Sequence, residues 1–131
     1  MSLTRRVLVA HESEEARLEL RAWFEGFGLT FHESPNAYHA LCMLKEATGN
    51  PYAFAVFANW LPHFYGQGPR PCASMLAGAT PRATELYILD TRISKIEGEA
   101  LDTMGVPHAA SSMHIMAWTS PRLHAQPKEA R

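Results

Sequence analysis

Residues 54–66, FAVFANWLPHFYG, decide how the rest of the chain is understood. Five apolar residues in a row, Phe54 to Ala58, include two aromatics and a valine with no polar alternation, the pattern of a strand buried on both faces. Such strands occupy the middle of parallel sheets. Asn59 ends the run. Pro62, which has no N–H for a ladder, and Gly66, free to take positive φ, then shape a loop leaving the strand's carboxyl end. In open parallel sheets that end is where sites are made. A reaction centre in this chain would lie around residues 58–62, and what stands at its head is Ala58.

On the amino-terminal side, RVLVA at residues 6–10 is a β-branched strand, followed by Ser13 as N-cap with Glu14 and Glu15 in the first turn, where the helix dipole favours negative charge. Ala16, Leu20, Trp23, Phe24 and Phe27 share one face of that first helix, and Gly28 ends it. Their spacing marks the aromatics as core rather than a cofactor box. A second strand is expected over residues 29–32, then a helix capped by Ser34 with Pro35 in its first turn and Ala37, Leu41 and Leu44 facing inward. Gly49, Asn50 and Pro51 close it.

On the carboxyl-terminal side the pattern weakens. QGPRP at residues 67–71 disfavours helix, so a third helix is short and centred on residues 73–77. Thr80 and Pro81 make a turn into a fourth strand, LYIL, at residues 86–89. Ile93, Ile96, Ala100 and Met104 form the stripe of a fourth helix with Gly105 beyond its end. A fifth strand is expected over residues 108–111, and a fifth helix from Met113 that Pro121 disturbs or stops. Residues 1–125 thus make one domain and residues 126–131 a polar tail or linker.

Composition fits one compact domain: 131 residues, 47% hydrophobic and 19% charged, suffice for a real core. Lys plus Arg number 12 against 13 Asp plus Glu, which gives no global attraction for nucleic acid or an anionic membrane. No apolar run approaches a signal sequence or a membrane span, so a cytoplasmic protein is expected. Cys42 and Cys72 lack CxxC spacing and read as reduced and structural, and the seven histidines show no ligand spacing on any one helix. No cofactor is indicated.

Five strand–helix units with short connections imply a flavodoxin-like, doubly wound, five-stranded parallel sheet with helices on both faces. Its crevice forms where the carboxyl ends of the first, third and fourth strands meet, with the fifth alongside. Those ends carry His11 and Glu12, Ala58, Asp90, and Ser112.

Three spacings in this arrangement resemble the receiver domain of two-component response regulators, the CheY-like family. Ala58, Pro62 and Gly66 match its acceptor aspartate, the proline four residues on and the glycine four after that. Asp90, Gly105 and Ser112 match its strand-ending Thr/Ser, a later glycine and a lysine seven beyond the glycine. VLVAHESEEARLELRAWFEGFG, residues 7–28, also looks like its opening strand, acidic pair and first helix. The likeness covers residues 6–118 in unbroken register.

What departs from the family is its chemistry. The resemblance implies phosphoryl transfer to a carboxylate beside Mg²⁺, which needs hard oxygen ligands. Ala58 offers no nucleophile, and His11 with Glu12 in place of an acidic pair is a poor Mg²⁺ cradle. Ser112 replaces the phosphate-binding lysine, Asp90 would repel a phosphoryl group, and Ala109 occupies the switch-aromatic position. The expectation is a pseudo-receiver, not an enzyme, acting in a bacterial signalling pathway through protein contacts and outside the phosphorelay chemistry. The alternative is a small-ligand or metal-binding sensor using His11, Glu12 and Asp90, an acceptable transition-metal set except that two of the three are adjacent. A third reading is that protonation of His11 biases an interface near pH 6 to 7.

Trp60, Phe64 and Tyr65 fall in the loop after the third strand, where large aromatics are hard to bury, and read as a lid over the crevice or a partner contact. Met113, Ile115, Met116 and Trp118 exceed one helical stripe, leaving some of them for association. In the family, the face made by the fourth helix, fifth strand and fifth helix carries dimer or output contacts. The resemblance implies a homodimer, protein partner or output domain there.

Overall fold

The computed structural model describes residues 5–64, 66–89, 94–109 and 111–125. Strands β1 (Arg6–Ala10), β2 (Thr30–Ser34), β3 (Phe54–Ala58), β6 (Glu85–Leu89) and β7 (His108–Ala109) form one parallel sheet in the order β2-β1-β3-β6-β7. Between β3 and β6 the chain adds β4 (Trp60–Pro62) and β5 (Pro69–Pro71), an antiparallel ribbon of its own. The helices are α1 (Glu14–Gly26), α2 (Ala37–Glu46), α3 (Ala73–Ala79), α4 (Lys95–Met104) and α5 (Ser112–Ala125).

Side chains alternate across the pleat, and here both faces are covered. Leu8, Ala10, Ala55, Phe57 and Ile88 pack against Ala40 and Leu44 of α2, Leu76 of α3 and Leu101 of α4. Val7, Val9, Phe54, Val56, Tyr87 and Leu89 meet Leu20 and Phe24 of α1 and Ile115 and Leu123 of α5. The central strand β3 is buried at every position, as its uninterrupted apolar run requires.

Local signals set most boundaries. The Ser13 hydroxyl accepts from the Ala16 N–H at the start of α1, and Gly28 takes φ +86° just beyond its end. Gly105, with φ +73°, is the left-handed C-cap of α4.

Four expectations need correction. The cap of α2 is Asn36, whose side chain accepts from the His39 N–H at 2.8 Å; Ser34 instead ends β2, buried, with its hydroxyl donating to Asn36 O. The stripe assigned to the fourth helix faces the wrong way. Ile96 and Met104 are exposed and the buried residue is Leu101, because α4 approaches the sheet over small residues: a Cβ at Gly98 would come within 3.8 Å of His108. Ile93 lies outside the described residues.

Pro121 does not stop α5, which runs through it to Ala125. The missing N–H would have met the Ala117 carbonyl on the exposed side of α5, where water can replace it, while Leu123 one turn on is held in the core. Last, residues 60–71 are not simply loop but contain the β4–β5 ribbon. Among the described residues no helix is long and apolar enough to cross a membrane.

Candidate functional site

The sheet order sets β1, β3 and β6 side by side, so their carboxyl ends share one edge. His11 leaves β1 buried, its N–H donating to Ser34 O at 3.1 Å and its Nδ1 accepting from the Ser13 N–H at 2.9 Å. Arg17, one turn into α1, donates to the carbonyls of His11 and Glu12 and pairs through Nε with Glu33 at 2.7 Å. Burial first, and the Arg17 charge second, hold the His11 imidazole below its usual pKa. It is a neutral acceptor already in use. The Glu12 side chain points away into solvent.

Ala58 is 2% exposed and lies in the core cluster with Ala10, Leu61, Cys72 and Leu76. Beyond it the chain is stitched down on two sides: the Asn59 N–H donates to Leu89 O at 3.1 Å, and Asn59 O accepts from the Cys72 N–H at 2.9 Å. The Cys72 thiol donates to Ala58 O at 3.5 Å, and burial pushes its pKa up to about 12. A thiol so placed is a hydrogen-bonded core residue and not a nucleophile.

The ribbon that follows carries Trp60 toward α4, where its indole N–H donates to Glu97 at 3.4 Å. The same Glu97 carboxylate accepts from the Ser94 N–H at 3.1 Å while the Ser94 hydroxyl accepts from the Glu97 N–H at 3.1 Å, a reciprocal capping box. Phe64 is exposed and leans on Tyr38 with ring centroids 5.2 Å apart, over a shallow apolar pocket lined by Ala37, Leu41, His63 and Met75.

Ser112 begins α5 and donates its hydroxyl to Glu19 of α1 at 2.7 Å, so it ties two helices together. Ala109 ends β7 opposite Leu89, its methyl group buried. Asp90 and Tyr65 lie outside the described residues. His11 and Ala58 are therefore brought to one edge, whereas Glu12 and Ser112 are directed elsewhere. Among the described residues no three His, Cys, Asp or Glu side chains converge to hold a metal ion.

Sequence reasoning missed Arg17, Glu19 and Glu97 as residues that fix this end of the sheet, while Cys72 was expected to be structural without its place being known. Only Glu97 left a signal, the Ser94-x-x-Glu97 spacing of a capping box.

A parallel sheet of this order, with α1 and α5 on one face and α2, α3 and α4 on the other, is the CheY-like fold of response-regulator receiver domains. Among solved structures, a response regulator from Burkholderia pseudomallei, with a phosphorylated aspartic acid, a calcium ion and citrate, superposes with a TM-score of 0.62 at 18% identity, over 92% of this chain and 71% of that one. A fusion carrying the trimeric coiled coil of yeast Spc42 gives a TM-score of 0.57 at 14% identity, over 96% of this chain and 89% of that one. BeF₃-activated SdrG from Pseudomonas melonis Fr1 gives a TM-score of 0.42 at 15% identity, over 79% of this chain and 98% of that one. No family model and no curated protein sequence matches the chain. The shared property is the fold.

Proposed function

We propose that this chain is a receiver-like signalling domain that works through protein contacts, takes no phosphoryl group at the end of β3 and catalyses no reaction of its own. The observation that carries the reading is Ala58: the position facing the crevice holds a buried methyl group packed in the core. A methyl group accepts nothing. Its neighbours support the same conclusion, since His11 is neutral with Nδ1 engaged, Glu12 is solvated and Ser112 is committed to Glu19. Trp60, bridging the ribbon to Glu97, acts as a fixed cover at this end of the sheet.

Contact with a partner or a second copy is assigned to the face of α4, β7 and α5. Ile96 and Met104 on α4 and Met113 and Trp118 on α5 are exposed, and large apolar groups left in solvent on the two helices that flank β7 in the chain favour association. Trp118 keeps this exposure even though it stacks on Tyr87 with ring centroids 6.0 Å apart. A cytoplasmic bacterial signalling pathway is the setting that fits such a domain.

Incubation with acetyl phosphate and Mg²⁺ followed by intact-mass measurement tests the reading. The expected result is an unchanged mass. A labile phosphoryl adduct mapping to the carboxyl ends of β1, β3 or β6 overturns it.

A further inference from the structure

We propose that the groove between α2 and the edge strand β2 is a binding site for a small organic carboxylate. The groove encloses about 300 Å³, the lower end of the range for small-molecule sites. His39, Met43, Glu46 and Ala47 supply one wall, spaced at helical intervals along α2, and His32, Arg6 and Tyr52 supply the other. Arg6 opens β1 and Tyr52 precedes β3, so this wall belongs to the amino-terminal end of the sheet, away from Ala58. The proposal stands or falls independently of the proposed function.

Two polar groups and an apolar surface mark the groove. The Arg6 guanidinium lies 4.5 Å from the Tyr52 ring centroid and gives Nη2 to Asn50 O, but its Nε is buried with no acceptor among the described residues. The guanidinium also lines the groove, where its charge attracts an anionic occupant. His32 joins its Nδ1 to the Tyr52 hydroxyl at 2.8 Å, and its Nε2 makes no hydrogen bond to the described residues. Met43, Ala47 and the Tyr52 ring leave an apolar surface beside these groups, suited to the body of a ligand whose head is an anion.

Charge decides between anions. Arg6 attracts, but the Glu46 carboxylate lines the same groove and repels, so a monoanionic carboxylate is favoured over a phosphate dianion. The groups facing His32 are Arg6 from β1, Tyr52 from the segment before β3, and His39 and Glu46 from α2. Burial and Arg6 together hold the His32 pKa low in the empty groove. A bound carboxylate offsets Arg6 and draws a proton onto Nε2, so binding tightens as pH falls.

Benzoate titrated into the full chain, followed by histidine NMR and calorimetry at about pH 6 and about pH 8, tests this. The expected result is saturable binding that perturbs His32 and is severalfold tighter at the lower pH. Arg6→Gln should weaken it about tenfold. Glu46→Gln, on an exposed side chain whose loss does not threaten folding, should tighten it about threefold. Binding that never saturates, that ignores Glu46→Gln, or that is matched by inorganic phosphate overturns the proposal.

Discussion

Ala58→Asp restores the one side chain that the end of β3 lacks, and the structure sets the cost. The Ala58 methyl is 2% exposed among Ala10, Leu61, Cys72 and Leu76. Among the described residues no cation is held there to receive a carboxylate: His11 is neutral, and Arg17 is spent on the His11 and Glu12 carbonyls and on Glu33. A carboxyl buried without a cationic partner takes up a proton instead of staying charged. Holding it neutral at pH 7, against an ordinary pKa of about 3.9, costs about 4 kcal/mol. Partial access of the longer side chain to the crevice lowers this figure, so a loss of about 3 kcal/mol is expected at neutral pH.

The pH dependence identifies the cause. Because the new carboxyl has its folded pKa raised above its unfolded value, the folded state binds more protons, and the deficit relative to the parent shrinks as pH falls. A loss of about 3 kcal/mol corresponds to a pKa raised by about two units, so the slope approaches about 1.4 kcal/mol per pH unit between about pH 6 and the unfolded pKa and is smaller near neutrality. Urea unfolding followed by tryptophan fluorescence at about pH 7 and about pH 5.5 measures both quantities, with the slope m checked for constancy. If Ala58→Asp is as stable as the parent at neutral pH and also gains a Mg²⁺-dependent adduct from acetyl phosphate, the crevice still holds a working cation site. The reasoning from burial would then be wrong.

Other outcomes are expected. The parent should lose stability as pH drops below about 6.5, because His11 and His32 have lowered folded pKa values and the unfolded chain takes up protons first; a flat urea midpoint between about pH 7 and about pH 5 contradicts this. Solvent screening keeps the contribution of half-exposed His32 small. Trp60→Phe, which keeps a ring but deletes the N–H to Glu97, should cost under about 1 kcal/mol in thermal or urea unfolding, whereas Glu97→Ala also dismantles the capping box and should cost about 1–2 kcal/mol. Iodoacetamide should alkylate Cys42 in the folded protein and leave Cys72 untouched until urea is added, as peptide mass mapping would show. Met113→Lys should leave stability within about 0.5 kcal/mol and weaken self-association or partner binding in sedimentation experiments; unaltered association removes α5 from the contact face.

The frame was legible because it rests on patterns that survive without their neighbours. FAVFA cannot be half-buried, and Ser13 followed by two glutamates has few uses other than starting a helix. The failures lie where two residues compete for one role. Ser34 and Asn36 are both good caps, and Asn36 prevails because the β1–β2 ladder extends to Ser34 and leaves it in strand geometry. On α4 the sequence holds two apolar sets, Ile96 with Ala100 and Met104, and Leu101 alone; packing selects the single leucine, and Gly98 lets the helix lie close to His108 of β7. Periodicity counts apolar residues but does not see how close a backbone can come.

The site was legible as a set of absences and illegible as a structure. Ala58, His11 and Ser112 can be placed from spacing alone, but nothing local shows that Ser112 bonds to Glu19 across 93 residues of sequence or that Asn59 receives the Cys72 N–H. The ribbon is the sharpest case. Pro62, Pro69 and Pro71 argue against strand, yet proline is excluded only where its missing N–H must feed a ladder. A two-stranded ribbon of three residues a side makes few such demands, and Leu61, fully buried between Trp60 and Pro62, anchors it to the core. With Leu61 fixed inward, neighbouring Trp60 is presented to Glu97 at the start of α4. The segment leaving β3 is thus held by packing and backbone pairing, which is the physical condition for this scaffold to stay ordered with an alanine at its head.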